Sequence, residues 1–190
     1  MKILNKNVTG HSRFGLVKGI AGMLVILLTV LGLLYWYNPY EKGRLARDDV
    51  RIRELKRLDG AIKTYLENND KSKAETCDSC TIGKDIFATG SVDLEESLKV
   101  VSSTSSAVNI TGWVPVDFSL NARIGETPIK VLPIDPSNIP PYVYTYTPGK
   151  NGTYKLSAAL ESTQNDSMEK DDLGINDGRY ELGNDLQLPP

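Results

Sequence analysis

The fold is decided by one stretch of sequence, HSRFGLVKGIAGMLVILLTVLGLLYWYNPYEKGRLARDDVRIRELKRLDGAIKTYLENN (residues 11–69), in which an apolar run passes directly into a charged run. No charged residue occurs from Gly19 to Tyr37. As an α-helix this segment measures about 28 Å, close to the roughly 30 Å hydrocarbon core of a bilayer. The sequence therefore predicts a transmembrane helix over residues 19–37.

The length and the end of the apolar run distinguish a retained span from a cleaved secretory signal. A signal peptide has an apolar region of about 7–15 residues, followed by a small-x-small cleavage site. Here the run is longer and ends in Tyr35, Trp36 and Tyr37, and such residues are typical of a membrane–water interface. We therefore expect a retained span, and not the buried helix of a soluble protein.

Basic residues flank the predicted span in similar numbers on both sides, so the positive-inside rule alone hardly favours either orientation. The short segment 1–18 carries no acid, and most of the chain lies beyond the span. We therefore expect a single-pass protein of the cell membrane with a cytoplasmic N-terminus and an extracytoplasmic C-terminal domain. The flanking basic residues are Lys2, Lys6, Arg13 and Lys18 before the span and Lys42, Arg44, Arg47 and Arg51 after it.

Residues 38–69 have the pattern of an amphipathic helix that continues from the span. Apolar residues recur every three to four positions and form one stripe, with a period nearer to 3.6 than to a coiled-coil heptad. The charged residues between them predict a solvated face. The stripe comprises Leu45, Ile52, Leu55, Leu58, Ile62, Tyr65 and Leu66, and the charged residues are Arg47, Asp48, Arg51, Arg53, Glu54, Lys56 and Arg57.

The remaining residues, 70–190, predict a small exported domain with strands near its C-terminal end. Residues 142–147 (YVYTYT) and 153–162 (TYKLSAALES) alternate around a PGKNG turn and predict a β-hairpin, and 179–183 (RYELG) predicts a last strand. Residues 92–103 (VDLEESLKVVSS) predict a short helix. Pro115 makes GWVPVDF an edge strand or a loop.

The expected fold class is therefore α+β, with one long N-terminal helix packed on a small antiparallel sheet. The expected organisation is a short basic segment (1–18), a transmembrane helix (19–37), an amphipathic continuation (38–69) and an exported domain (70–190). The formal net charge of −2 argues against a nucleic-acid partner. No nucleophile elbow or phosphate-binding glycine loop occurs, so we expect a protein that is not an enzyme.

The two cysteines, Cys77 and Cys80, are separated by two residues and suit several chemistries. Zinc requires four ligands, and the single histidine, His11, precedes the predicted span. The pair does not follow a strand at the start of a helix, as a thioredoxin-like redox motif does. A local disulfide in an exported loop is the favoured interpretation, and two free thiols are the alternative.

The order of these features resembles that of type IV pilins and of the pseudopilins of type II secretion. ARDDVRIRELKRLDGAIKTYLENN resembles a pseudopilin-like helix. GWVPVDF, LPIDP, YVYTYT, YKLSAALES and RYELGNDLQL resemble, in the same order, blocks of a pilin-like family that is common in uncultured small-genome bacteria. The resemblance covers about residues 14–188 and implies assembly with other pilin-like subunits through the N-terminal helix.

The resemblance also implies which residues act in assembly and in the membrane, namely Phe14, Gly15, Gly19, Gly22 and Trp36. Small residues such as glycine let membrane helices approach closely, although glycine is also an ordinary residue of membrane helices. Phe14 fits the residue that follows a prepilin cleavage site. Arg13 stands where that site has glycine, and Lys18 stands where the mature chain has glutamate. A cleaved subunit and an uncleaved, membrane-anchored binding or adhesion module therefore both stay open.

Acidic residues near the C-terminus form a candidate calcium site. Carboxylates on a glycine-containing loop suit Ca²⁺, and resemblance to pseudopilins implies calcium in a C-terminal loop. The spacing differs from that of an EF-hand, so a solvated acidic loop is the favoured alternative, with no cofactor. The candidate ligands are Asp171, Asp172, Asp177 and Asp185.

Overall fold

The computed structural model describes residues 10–69, 80–93, 96–119 and 129–189, with the side chains of the first helix described from Gly15 onwards. The chain divides into two compact units, Met1–Lys42 and Gly43–Pro190. The described apolar residues of the first unit are exposed, whereas most of those of the second unit are buried in a core.

The first unit contains helix α1, which spans Gly10–Tyr37. Leucine, isoleucine and valine dominate its second half, so the helix has no polar face. Every described side chain of α1 is exposed in the isolated chain. A helix that is apolar on all sides needs apolar surroundings, which a bilayer or other helices provide.

Helix α2 spans Pro39–Asn68 and has a defined start and end. Its start is capped by Asn38, whose side-chain oxygen accepts a hydrogen bond of 3.3 Å from the backbone N–H of Glu41. Pro39 occupies the first helical position, where no N–H bond is lost. At the other end the side-chain amide of Asn68 donates to a carbonyl of the last turn at 2.8 Å. These contacts explain why the helix covers almost the whole predicted range.

The second unit is built on a five-stranded sheet in the order β2-β1-β3-β4-β5. All neighbouring strands are antiparallel except β1 and β2, which are parallel. A short helix, α3 (Asp166–Lys170), precedes the last strand. The strands are β1 (Asp85–Ala88), β2 (Lys99–Ser102), β3 (Tyr144–Pro148), β4 (Tyr154–Ala158) and β5 (Tyr180–Gly183).

The core lies between α2 and the sheet, which confirms the predicted α+β class. Four residues of the predicted apolar stripe, Leu55, Leu58, Ile62 and Leu66, are buried in one cluster with aromatic residues of the sheet. The hydroxyl of Tyr144 in β3 donates to Glu54 at 2.6 Å, so the helix and the sheet are also joined by a hydrogen bond.

The predicted hairpin is confirmed by the pairing of β3 with β4, in which Tyr146 lies opposite Leu156. The last predicted strand is also present as β5. The predicted short helix at 92–103 is wrong, because Lys99–Ser102 forms β2. Val100 and Val101 are β-branched and pair with β1, and this pairing outweighs the acidic residues that favoured a helix.

The segment GWVPVDF (112–118) is a loop that belongs to the core. Trp113, Val114, Val116 and Phe118 are all buried, although the segment contains no strand. The indole N–H of Trp113 donates to the carbonyl of Pro133 at 2.8 Å. The alternation of apolar residues here reflects burial, and of the two predicted alternatives the loop is the correct one.

Candidate functional site

The first candidate site is the apolar surface of α1. By length and composition this helix could cross a membrane. Trp36 is 87 % exposed, and no atom lies within 4 Å of the position that a Cβ would take at Gly15, Gly19 or Gly22. The side chain of Phe14 lies outside the described residues. Gly15, Gly19, Gly22 and Trp36 therefore have open surroundings within the single chain, and the assembly role of all five residues stays a prediction.

A cation from the first turn of α2 lies against the aromatic end of α1. The ammonium group of Lys42 lies 3.7 Å from the centre of the Tyr37 ring, a cation–π contact. An amphipathic aromatic ring beside a basic side chain is typical of the level of the lipid headgroups.

The second candidate site is a cluster of ion pairs that we call the α2 cluster, formed by Arg47, Asp48, Arg51, Asp135 and Glu161. Arg51 lies at its centre and is fully buried. Its Nε and Nη2 atoms donate to the two carboxylate oxygens of Asp135 at 2.7 and 2.9 Å. Further bonds run from Nη1 to Asp48 at 2.9 Å and from Nη2 to Glu161 at 2.7 Å. One guanidinium thus joins three carboxylates.

Asp48 is fully buried too, and it holds the chain that follows β4. Its carboxylate accepts hydrogen bonds of 2.9 Å from the backbone N–H groups of Glu161 and Ser162 and from the side-chain amide of Asn165. Because the buried carboxylate has these donors together with Arg51, its desolvation is compensated.

The ion pairs of the cluster shift the pKa values of Glu161 and Arg51 in the direction that keeps these two groups ionised. Hydrogen bonds from Arg47 and Arg51 lower the pKa of Glu161 to about 2, against the opposing effect of burial. Burial would lower the pKa of Arg51, but its bonds to Asp135 and Glu161 outweigh this effect and raise it. Glu161 and Arg51 are therefore charged at neutral pH.

The burial of the cluster corrects the prediction of a solvated charged face. Asp48 and Arg51 are fully buried, whereas Arg53, Lys56 and Arg57 are exposed as predicted. The spacing contained the signal, because Asp48 and Arg51 precede the buried Leu55 by seven and four positions and so lie on the apolar stripe. Charged residues on the apolar stripe of a helix indicate buried ion pairs. The sequence pattern does not show which residues far along the chain are their partners.

The predicted calcium ligands do not form one site. Asp172 accepts hydrogen bonds from the backbone N–H groups of Gly174 and Glu181 at 2.8 and 2.6 Å. Asp171 and Asp177 are exposed, and Asp185 accepts from the N–H of Gln187 at 3.2 Å. Within the described part of the chain, no three acidic, histidine or cysteine residues come together as metal ligands.

An internal ammonium group supplies the positive charge beside this acidic loop. Lys155 and Glu181 are both buried, and Nζ of Lys155 donates to Glu181 at 2.6 Å. The other carboxylate oxygen of Glu181 accepts from the N–H groups of Ile175 and Asn176 at 2.7 and 3.2 Å. Glu181 was not predicted as a functional residue, because alternation in β5 gives no indication of a charged partner in β4.

Cys80 is disulfide-bonded. The only other cysteine of the chain, Cys77, lies outside the described residues.

The fold and these sites define an α+β protein with a helix that is long and apolar enough to cross a membrane. No protein-family model, curated protein or solved structure matches the chain. The resemblance to pilins and pseudopilins therefore rests on the sequence blocks alone.

Proposed function

We propose that the chain is a structural, single-pass membrane protein, a pilin-like or pseudopilin-like subunit of a type IV pilus or of a type II secretion-type assembly. The observation that carries this proposal is the contrast between the two helices. The described side chains of α1 are exposed and, from Gly19 onwards, uncharged and mostly apolar, while α2 buries one face on a folded sheet. This division suits a helix that packs with lipid and with like helices while its continuation carries a domain.

The α2 cluster supports a mechanical role for the continuation. Arg51 ties the helix to the segment before β3 through Asp135 and to the segment after β4 through Glu161. Buried charge pairs fix direction and register, since any shift of the helix would leave a charge unpaired. A domain held in this way moves together with α2, as a subunit under load requires.

A membrane-anchored binding or adhesion module that does not polymerise is the alternative. The observation that favours it lies in the sequence, because Arg13 and Lys18 replace the glycine and the glutamate of the prepilin pattern. Lys18 stands in place of that glutamate, and in an assembly its ammonium group would lie beside the positively charged amino terminus of a neighbouring subunit. Two such charges repel strongly in a medium of low dielectric constant.

Two measurements on the chain isolated from its own membranes distinguish the two proposed functions. Its intact mass gives the first residue, and shearing of the cells gives a filament fraction that is probed for the chain. A chain that starts at Phe14 and enters the sheared filaments supports the subunit. A chain that keeps the residues before Phe14 and stays in the membrane supports the anchored module. A chain found without α1 in the soluble fraction contradicts both.

A further inference from the structure

The outward face of α2 carries three cations that have no acidic partner in the described part of the chain. Arg53, Lys56 and Arg57 are exposed, and none of them forms an ion pair with a described residue. They lie within one turn of each other and opposite the face that packs on the sheet. A surface of this kind attracts an acidic partner.

Gly60 lies within this basic face and has no explanation in the fold of the single chain. It is exposed, it sits inside a helix, and no atom lies within 4 Å of the position that its Cβ would take. A glycine inside a helix destabilises it by roughly 1 kcal/mol relative to alanine. Its neighbours on the helix surface, Arg53, Lys56 and Arg57, therefore border a shallow notch that can receive an apolar side chain.

The loop 171–178 has the complementary shape and charge. Leu173 is 82 % exposed and Ile175 is 51 % exposed, and exposed carboxylates at Asp171 and Asp177 stand on either side of them. Leu173 has φ of +70°, a conformation that is strained for a leucine.

The backbone of the same loop is hydrogen-bonded within one chain. The carboxylates of Asp172 and Glu181 accept the backbone N–H groups of Gly174, Ile175 and Asn176. A preorganised loop loses little entropy on docking, which favours binding. The exposed leucine is therefore presented by a loop whose following residues are hydrogen-bonded to two carboxylates.

We propose that the loop 171–178 of one copy docks on the α2 face of a second copy, with an apolar side chain of the loop at Gly60 and the two carboxylates beside the basic residues. The occupant is a second copy because one chain offers both halves of the contact with opposite charge. The two surfaces differ, so the contact is head-to-tail and can be repeated along a row of copies. The inference rests on the proposed assembly function and adds to it a contact between the folded domains.

The test uses the full chain in its membranes, with a photo-crosslinking amino acid in place of Ile175. Two copies with different affinity tags are co-expressed, and successive purification on both tags isolates cross-linked pairs of copies before mass spectrometry maps the linked residues. We expect links between copies that map to residues 53–64. The double variant Arg53→Glu, Arg57→Glu should lower their yield about tenfold, and the further changes Asp171→Lys and Asp177→Lys should restore it.

The matched control is Lys84→Glu, Lys150→Glu, which makes the same change in net charge at two exposed lysines outside α2. This variant should keep the yield of the unaltered chain. Absent links, links to another protein, or links that map outside α2 would overturn the docking proposal. The proposed assembly function is tested separately, by co-purification of the chain with filaments. Links between copies of a chain that never enters filaments would support the docking proposal and contradict the proposed role in a pilus.

Discussion

Arg51 and Asp135 face each other across 84 residues of sequence and are joined by two parallel hydrogen bonds, of 2.7 and 2.9 Å. Both side chains are fully buried. Paired bonds of this kind fix the orientation of a guanidinium as well as its distance. The pair therefore helps to fix where along the sheet α2 is attached.

Replacement of Arg51 by methionine should strongly destabilise the folded domain. The change leaves Asp48 and Asp135 buried without their common cation, and loss of one partner of a buried pair reduces the free energy of unfolding by about 3–5 kcal/mol. The matched control is Arg53→Met, two positions away on the exposed face, which should change that free energy by less than about 0.5 kcal/mol. Unfolding of the full chain in detergent, followed by the fluorescence of the buried Trp113, measures both. Equal effects of the two variants would show that the cluster contributes no more than a surface charge.

Acid should weaken the attachment of α2 through Glu161. Its pKa is lowered from 4.5 in the unfolded chain to about 2, so it contributes stability that is complete above pH about 4.5 and is lost as the pH falls towards 2. The contribution at neutral pH is up to about 3 kcal/mol.

Unfolding of the full chain and of Glu161→Gln at several pH values tests this dependence. The difference in unfolding free energy between the two proteins should shrink from pH 5 downwards. Glu67→Gln, at the exposed end of α2, controls for loss of a carboxylate. A difference that stays constant with pH would mean that Glu161 is not held as a charged partner of Arg47 and Arg51.

Local patterns predicted those parts of the fold in which neighbours in sequence are neighbours in space. The hairpin follows from alternation on both sides of a turn, and the buried stripe of α2 follows from its period of 3.6 residues. Strand β2 was missed because its partner, β1, lies before a connection whose acidic residues favour a helix start. Pairing with Ile86 and Phe87 outweighs that local preference.

The candidate sites were predicted less well, because most of them join residues that are far apart in the sequence. The apolar surface of α1 is a property of one segment and can be read from it. The partners of Arg51 are contributed by residues 135 and 161, and the partner of Glu181 is contributed by Lys155 in a neighbouring strand. Charge in the sequence indicates that a partner is needed, but only the folded chain determines which residue supplies it.

Calcium should leave the thermal stability of the domain unchanged. The carboxylates of Asp172 and Glu181 already accept backbone N–H groups, and Glu181 is paired with the ammonium group of Lys155. A bound ion would have to displace these donors. The Tm of the full chain in detergent is measured in excess calcium and in excess chelator, with magnesium as the control for ionic strength. A Tm that rises with calcium alone would restore the predicted site.

Replacement of two glycines by alanine should change the free energy of unfolding in opposite directions. The two variants test whether Gly60 in α2 and Gly174 in the acidic loop have the surroundings described above. At Gly60 a Cβ meets no atom within 4 Å, so Gly60→Ala should raise the free energy of unfolding by up to about 1 kcal/mol through helix propensity. At Gly174 a Cβ would lie 1.7 Å from Oε2 of Glu181, so Gly174→Ala should lower it by about 1–3 kcal/mol as the buried carboxylate loses its N–H donors. Chemical unfolding of the full chain in detergent compares each variant with the unaltered protein. A loss of stability at Gly60 would show that the notch is already filled within one copy, and a neutral Gly174→Ala would show that Glu181 does not hold the loop.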